Sequence, residues 1–226
     1  MKPLISFAIT THNEGEYIRE LIDQLVPHCE VTGDEIVVVD DNSTDPFTVS
    51  MLYDYDNSDK IQLYQHELNH NFAEHKNFLN SKCNGEYIFQ VDADEKFNTN
   101  LLTYLHDIVD NNREVDLFLI PRVNIVGGLT EEDIRRWGWR INEKGWVMFP
   151  DYQTRLYRNT DSIYWEGKVH ERIVGHKTTA PLPEEEEWSL YHIKDIERQR
   201  KQKTTFNLSQ HIRTLNLVRI LTYLHN

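Results

Sequence analysis

The stretch Gly85–Glu95, GEYIFQVDADE, decides how the chain reads. Tyr87 to Val91 is an aromatic and β-branched run that stops at two carboxylates, Asp92 and Asp94, with only Ala93 between them. An apolar run that ends in acids predicts a buried strand delivering carboxylates to its carboxyl end, the edge where open α/β sheets bind ligands. Two carboxylates one residue apart suit a divalent cation that also holds a polyphosphate. D-x-D is a common tripeptide, and its plain alternative is an acidic turn after a strand. The flanking sequence separates the two.

Upstream, the same pattern recurs. Leu4 to Ile9 is a short apolar run ending in Thr10-Thr11-His12-Asn13-Glu14, followed by a predicted helix from about Glu14 to Val26 with Tyr17, Ile18, Leu21, Ile22 and Leu25 on one face. Glu35 to Val39 (EIVVV) is nearly all apolar, as strands buried on both faces are, and ends in Asp40-Asp41-Asn42-Ser43-Thr44-Asp45. Ser43 or Thr44 is the expected cap of a following helix, with Pro46 in its first turn. A third strand, Lys60 to Tyr64, leads to a helix from Asn69 to Lys82 with Phe72, Phe78 and Leu79 inward. Strands alternating with helices predict βαβ units and a mostly parallel sheet. Three strand ends in this half carry acids or hydroxyls.

Downstream, Leu101 to Val109 reads as helix and Val115 to Pro121 as strand. Residues 124–150, with Trp137, Trp139 and Trp146 among glycines, read as a loop or hairpin excursion, a common place for function. Thr154 to Arg158 and Ile163 to Val174 read as strands, Pro181 to Glu187 as a solvated acidic linker, Trp188 to Ile193 as a last strand, and about Asp195 to the end as a helical tail. The expected organisation is a domain over residues 1–193, with a nucleotide-binding half to 95 and an acceptor half from 96, plus a helical extension over 194–226.

Composition bounds the function. The 226 residues are 39% hydrophobic and 27% charged, which is globular rather than disordered. A net charge of −13 argues against a protein that grips nucleic acid over its whole surface. Cys29 and Cys83 suggest neither a disulfide framework nor a zinc site. The first residues do not read as a signal peptide, and no run of 18 apolar residues occurs, so the expectation is a cytoplasmic protein.

In order and spacing, ISFAITTHNEGEYI, DEIVVVDDNSTD and NFAEHKNFLNSKCNGEYIFQVDADE resemble family 2 glycosyltransferases with the GT-A fold. PDYQTRLYRN and WEGKVHERI resemble the subgroup related to lipopolysaccharide core glucosyltransferases. The resemblance covers about residues 4–193. It implies an inverting, metal-dependent transfer of a sugar from a nucleotide-diphosphate donor, a UDP-sugar first, to a hydroxyl.

The resemblance also implies a role for each strand end. Thr11 and Glu14 would line the nucleotide; the alternative for Glu14 is an acid complementing a helix N-terminus. Asp41, with Asp40 beside it, would bond the base; the alternative is a turn aspartate. Lys76 would lie near the base or diphosphate. Asp94 would be the direct ligand of Mn²⁺ or Mg²⁺, which suit carboxylate, phosphate and water donors, and Asp92 would contact ribose, or the metal through water. His192 is a candidate third ligand, or a histidine closing a strand end. Many members carry a Glu-Asp pair as general base, but this chain has Val169-His170-Glu171 there. Glu171 is therefore the first candidate, Asp151 the second, and His170 a neighbour that orients the base. The alternative for residues 168–172 is a strand of alternating charges facing solvent.

Two features bear on the acceptor. Arg135, Arg136, Arg140 and Lys144 interleave with the three tryptophans, which suits stacking beside a phosphate or forms a lid over the donor. The basic segment 194–203 precedes an apolar stripe from Ile212 to Leu224. That stripe suits packing on its own domain, a dimer contact, or an amphipathic helix at the inner face of a membrane. The subgroup favours a glycan or lipid-linked acceptor; a modified DNA base and a non-catalytic sugar-nucleotide binder remain as alternatives.

Overall fold

In the computed structural model, which describes residues 2–197 and 199–200, the apolar runs become strands with their acidic ends on one edge. The first half contains β1 (Ile5–Thr11), α1 (Glu16–Thr32), β2 (Glu35–Asp40), α2 (Pro46–Asn57), β3 (Gln62–Gln65), α3 (Phe72–Asn80), β4 (Tyr87–Asp92) and β5 (Glu95–Phe97). Then follow α4 (Thr99–Thr103), α5 (Leu105–Asp110), β6 (Leu117–Ile120), β7 (Arg122–Gly127), α6 (Glu131–Trp137), β8 (Gln153–Arg158), β9 (Tyr164–Glu166), β10 (Arg172–Val174), β11 (Thr179–Pro181), a 3-10 turn (Glu186–Trp188) and β12 (Leu190–Asp195).

The central sheet has the order β11-β6-β8-β4-β1-β2-β3. β1 is parallel to both β2 and β4, and β2 is parallel to β3, while β8 runs antiparallel to β4 and β6. From β1 the chain winds outward through β2 to β3, then returns to place β4 on the other side of β1. The crevice between the carboxyl ends of β1 and β4 is thus a topological switch point, where open α/β sheets bind ligands. The register pairs Thr10 with Asp92, Thr11 with Asp40, and Asp40 with Gln65. The residues singled out in the sequence therefore share one edge.

Alternation along the strands fills both faces. Ile5, Phe7, Ile9, Tyr87, Phe89 and Val91 face α1, α2, α4 and α5 in one core. Ala8, Val37, Val39 and Ile88 pack with Ala73 and Leu79 of α3 and with Tyr157, Trp165 and Ile173 in the other. Each fully buried side chain of this size contributes about 1.5–3 kcal/mol. The opening stretch begins at Gly85 because nothing larger fits there. A Cβ on it would lie 2.6 Å from the Ser6 backbone nitrogen and 2.8 Å from the Ile5 carbonyl carbon. Gly85→Ala is expected to destabilise the fold by about 1–3 kcal/mol, read as a lowered urea midpoint with an unchanged slope.

Several sequence expectations change. Helix α1 continues past Pro27 to Thr32 and closes on Gly33 at φ 78°, whose N–H donates to the Cys29 carbonyl. The cap of α2 is Asp45 rather than Ser43 or Thr44: Pro46 takes the first helical position and keeps Asp45 extended, so its carboxylate accepts from Thr48 N at 2.8 Å. On α3, Leu79 is buried and Phe78 packs against the core as expected, but Phe72 is exposed, and Ala73, His75 and Lys76 are buried as well. The expected helix over 101–109 is divided at Tyr104 into α4 and α5. The run Ile163–Val174 is not one strand but the β9–β10 hairpin, with Glu166 paired to Arg172 in register and Gly167 at φ 101° in its turn. Pro181–Glu187 is acidic and largely exposed but is not a linker, because Pro181 ends β11 and Leu182 is buried in the core.

The described residues divide into two compact units, one over 2–123 and 149–192, the other over 124–148 and from 193 onward. The first holds the central sheet. In the second, the Trp-rich excursion contains α6, closed by a Thr130–Asp133 capping box and by Gly138 at φ 64°. Trp137 and Trp139 pack on each other with ring centroids 4.5 Å apart, and Lys144 lies 4.4 Å above a buried Trp146. Arg135, Arg136 and Arg140 are exposed. The expected tail helix begins within the described residues, with Ile196, Glu197, Gln199 and Arg200 helical; the apolar stripe from Ile212 to Leu224, with its dimer or membrane contact, lies outside them. Among the described residues, no helix is long and apolar enough to cross a membrane.

Candidate active site

The loops that follow β1 and β2 are tied to each other. Asn13, at φ 56°, accepts from the N–H groups of Thr44 and Asp45 through Oδ1, at 2.7 Å each, and its own N–H donates to Ser43 Oγ at 2.8 Å. Asp40 is buried and accepts from the Ser43 N–H at 3.0 Å. Asp41 Oδ1 accepts from the Leu68 N–H at 2.8 Å. The Thr11 hydroxyl is buried and has no hydrogen-bond partner, an arrangement left to a ligand or water at this edge. Glu14 is half-buried at the end of the same loop.

One strand away, Asp92 and Asp94 face different partners. His192 Nε2 on β12 lies 3.3 Å from Asp94 Oδ2, brought there because β12 pairs with β5 and sets His192 opposite Glu95. Asp92 is clasped by both terminal nitrogens of Arg155, NH1 at 3.3 Å. Burial opposes its ionisation, but the charges of Arg155 and then Lys76 outweigh it and hold the carboxyl well below the usual range. Asp92 thereby stays ionised at all physiological pH.

Sequence reasoning missed the lattice behind this pair. Glu95 is fully buried; its Oε1 accepts from Arg122 at 2.9 Å and Arg155 at 2.7 Å, and its Oε2 from the Asp92 N–H at 3.0 Å. Burial lowers the proton affinity of Arg155, yet the Asp92 and Glu95 charges more than reverse this and raise it. Arg122 then reaches Asp151 Oδ2 through two nitrogens, at 2.9 and 2.6 Å. An arginine in the middle of a strand was the available signal for Arg155. Breaking a buried pair leaves an uncompensated charge. Arg155→Met is therefore expected to lower stability by about 3 kcal/mol, measured by equilibrium urea unfolding at neutral pH.

The two candidate bases differ in their surroundings. Asp151 has both oxygens engaged, Oδ2 by Arg122 and Oδ1 by Gln153 Nε2 at 2.9 Å. Glu171 sits in the β9–β10 turn after His170 at φ 57°, with Oε1 2.7 Å from Lys76 Nζ. Lys76 lies 4.1 Å above the Trp165 ring and acts electrostatically on Asp92. Lys76 thus sits between Glu171 and the D-x-D. His75 beside it is kept neutral to lower pH, first by burial and then by the charge of His66, whose ring nitrogen is 3.1 Å away.

The donor set at Asp94 and His192, one carboxylate and one imidazole beside a hydroxyl-lined strand edge, fits a hard or borderline divalent cation sharing phosphate oxygens. It leaves room in the coordination shell for a ligand, as catalytic sites require.

Comparison with known proteins bears on the family and the fold. The sequence pattern of "Glycosyl transferase family 2" matches residues 6–173. A lipopolysaccharide core biosynthesis glycosyltransferase, LpsC of Rhizobium meliloti, is 28% identical over 183 residues, covering 80% of this chain and 62% of its own length. A poly(ribitol-phosphate) beta-N-acetylglucosaminyltransferase, TarS of Staphylococcus aureus, is 30% identical over 161 residues, 69% of this chain but 27% of its own. The chain therefore spans less than two thirds of either relative. A crystal structure of TarS superposes with a TM-score of 0.59 at 21% identity, over 85% of this chain and 60% of that one. Another TarS structure, in complex with UDP-GlcNAc, gives 0.58 at 22% identity, over 86% of this chain and 59% of that one.

Proposed function

This chain belongs to glycosyl transferase family 2 and has the GT-A fold, and from that premise we propose that it moves a sugar from a UDP-sugar to a glycan hydroxyl with inversion at the anomeric carbon. The observation that carries the reading is the shared edge: Thr11 paired in register with Asp40 and Thr10 with Asp92, and Asp94 against His192. The UDP donor is favoured by the UDP-GlcNAc complex of TarS, and the glycan acceptor by the names of LpsC and TarS. The proposed domain is residues 1–193, with 194–226 as an extension.

In this reading Asp40 and Asp41 receive the base, Thr11 and Glu14 line the nucleotide, and Asp92 approaches the ribose. Asp94, with His192 and Asp92 beside it, would hold Mn²⁺ or Mg²⁺, which when bound neutralises charge on the departing diphosphate as a Lewis acid. Lys76 adds a fixed positive charge on the same side. Glu171 takes the proton from the acceptor hydroxyl as its oxygen bonds the anomeric carbon and the bond from that carbon to the diphosphate breaks. Glu171 is preferred to Asp151 because both Asp151 oxygens already accept hydrogen bonds.

The direct test is to incubate the protein with Mn²⁺ and UDP-, GDP- or dTDP-sugars and measure the free nucleoside diphosphate released. Release from a UDP-sugar that rises with added glycan acceptor is expected. Binding without release would identify a sugar-nucleotide sensor instead.

A further inference from the structure

At the opposite edge of the central sheet, a second cluster has no part in the proposed transfer. His28, Asp34 and His106 each offer one ring nitrogen or carboxylate oxygen, and these three atoms all lie within 4.8 Å of one another. Asp34 precedes β2, and its Oδ1 accepts from the N–H of Ile5, the first residue of β1. The seven residues of β1 span about 20 Å, so this cluster is remote from the D-x-D at the other end of the sheet.

We propose that His28, Asp34 and His106 form a site for a first-row transition dication, best matched by Zn²⁺, that staples the end of α1 to the start of β2 and to α5. Two imidazoles and one carboxylate are a zinc-type donor set, whereas magnesium and calcium prefer oxygen alone. The spacing agrees. A tetrahedral centre with bonds of 2.0–2.2 Å places its ligand atoms about 3.4 Å apart, and His28 Nε2 lies 3.4 Å from Asp34 Oδ2. His106 Nε2 is closer, 2.6 Å from the same oxygen. That is a hydrogen-bond distance, which opens by about 0.8 Å when a cation replaces the shared proton. His106 has room for this movement, because its side chain is 30% exposed while Asp34 is fully buried.

A second observation points the same way. His28 Nε2 is buried and, although Asp34 Oδ2 lies 3.4 Å away, it makes no hydrogen bond of normal geometry, an unusual condition for a buried polar atom. The carboxylate is oriented from behind by the Ile5 N–H at 2.9 Å, the outer contact that fixes a metal-binding side chain. The backbone also holds its position: Gly33 at φ 78° closes α1, and the Asp34 N–H donates to Thr32 Oγ1 at 3.3 Å. Three ligands come from the protein, so water would complete the shell.

The test uses the whole chain stripped with EDTA and titrated with Co²⁺, followed by its visible d–d absorption and by displacement with Zn²⁺. Wild type and Asp94→Ala are expected to show the same intense band of a low-coordinate site. His106→Ala, which removes the most exposed ligand, should bind at least about tenfold more weakly. It should also lose the Zn²⁺-dependent rise in Tm. His28→Gln, which keeps a polar side chain in place, should behave like His106→Ala. If wild type shows no such band, or both histidine variants titrate like wild type, the cluster is a hydrogen-bonded His–Asp pair and the proposal is wrong.

Discussion

Asp94→Ala is expected to lower metal-dependent sugar transfer by about 10²–10³-fold, the loss typical of removing one group that stabilises developing charge. Its loss of stability should be smaller than that of Asp92→Ala, because Asp94 lies 3.3 Å from His192 while the buried arginine–carboxylate lattice is built on Asp92 and Glu95. The neighbouring carboxylate should behave differently. Asp92 is clasped by Arg155 and bonded through its N–H to Glu95, so Asp92→Ala should lose stability as well as activity. A pair that looks equivalent in sequence thus separates by its partners. Full activity in Asp94→Ala would make the motif structural.

Glu171→Gln is expected to reduce kcat by about 10²–10⁴-fold, the usual contribution of a positioned general base, while donor KM remains near normal. The amide keeps the shape of the carboxylate and a hydrogen-bond acceptor for Lys76, so donor binding has little reason to change. Asp151→Asn should give the contrasting pattern, a smaller loss of kcat and a larger loss of stability, because it weakens the bidentate contact with Arg122. Comparing kcat, KM and urea midpoints for the two variants checks the assignment. Normal turnover in Glu171→Gln would transfer the role to Asp151.

The parallel half of the fold was legible because each strand is short, apolar and ended by acids, and that pattern is local. Buried parallel strands such as EIVVV leave little ambiguity. Reading failed where local pattern and tertiary context part. Ile163 to Val174 continues the strand-forming character through the hairpin turn, and only Gly167 marks the reversal. Phe72 looked inward by type, yet α3 turns Lys76 and His75 to the sheet because their charges and hydrogen-bonding atoms meet Glu171 and His66 there.

The site shows the same division. Thr11, Asp40, Asp92 and Asp94 were visible as strand ends. Glu95, Arg122 and Arg155 were not, because their importance lies in pairing across the sheet. Arg155 meets Asp92 from 63 positions away and Arg122 meets Glu95 from 27. Nothing in a single sequence links such residues before the strands are placed. The His28–Asp34–His106 cluster was hidden for the same reason, with His106 72 positions beyond Asp34.

The central claim is that the D-x-D edge is the diphosphate end of a nucleotide-sugar site, and calorimetric titration of UDP tests it most directly. Wild type should bind UDP more tightly, by at least about tenfold or 1.4 kcal/mol, when Mn²⁺ is present, and Asp94→Ala should lose that gain. UDP affinity that is indifferent both to Mn²⁺ and to Asp94 would contradict the account.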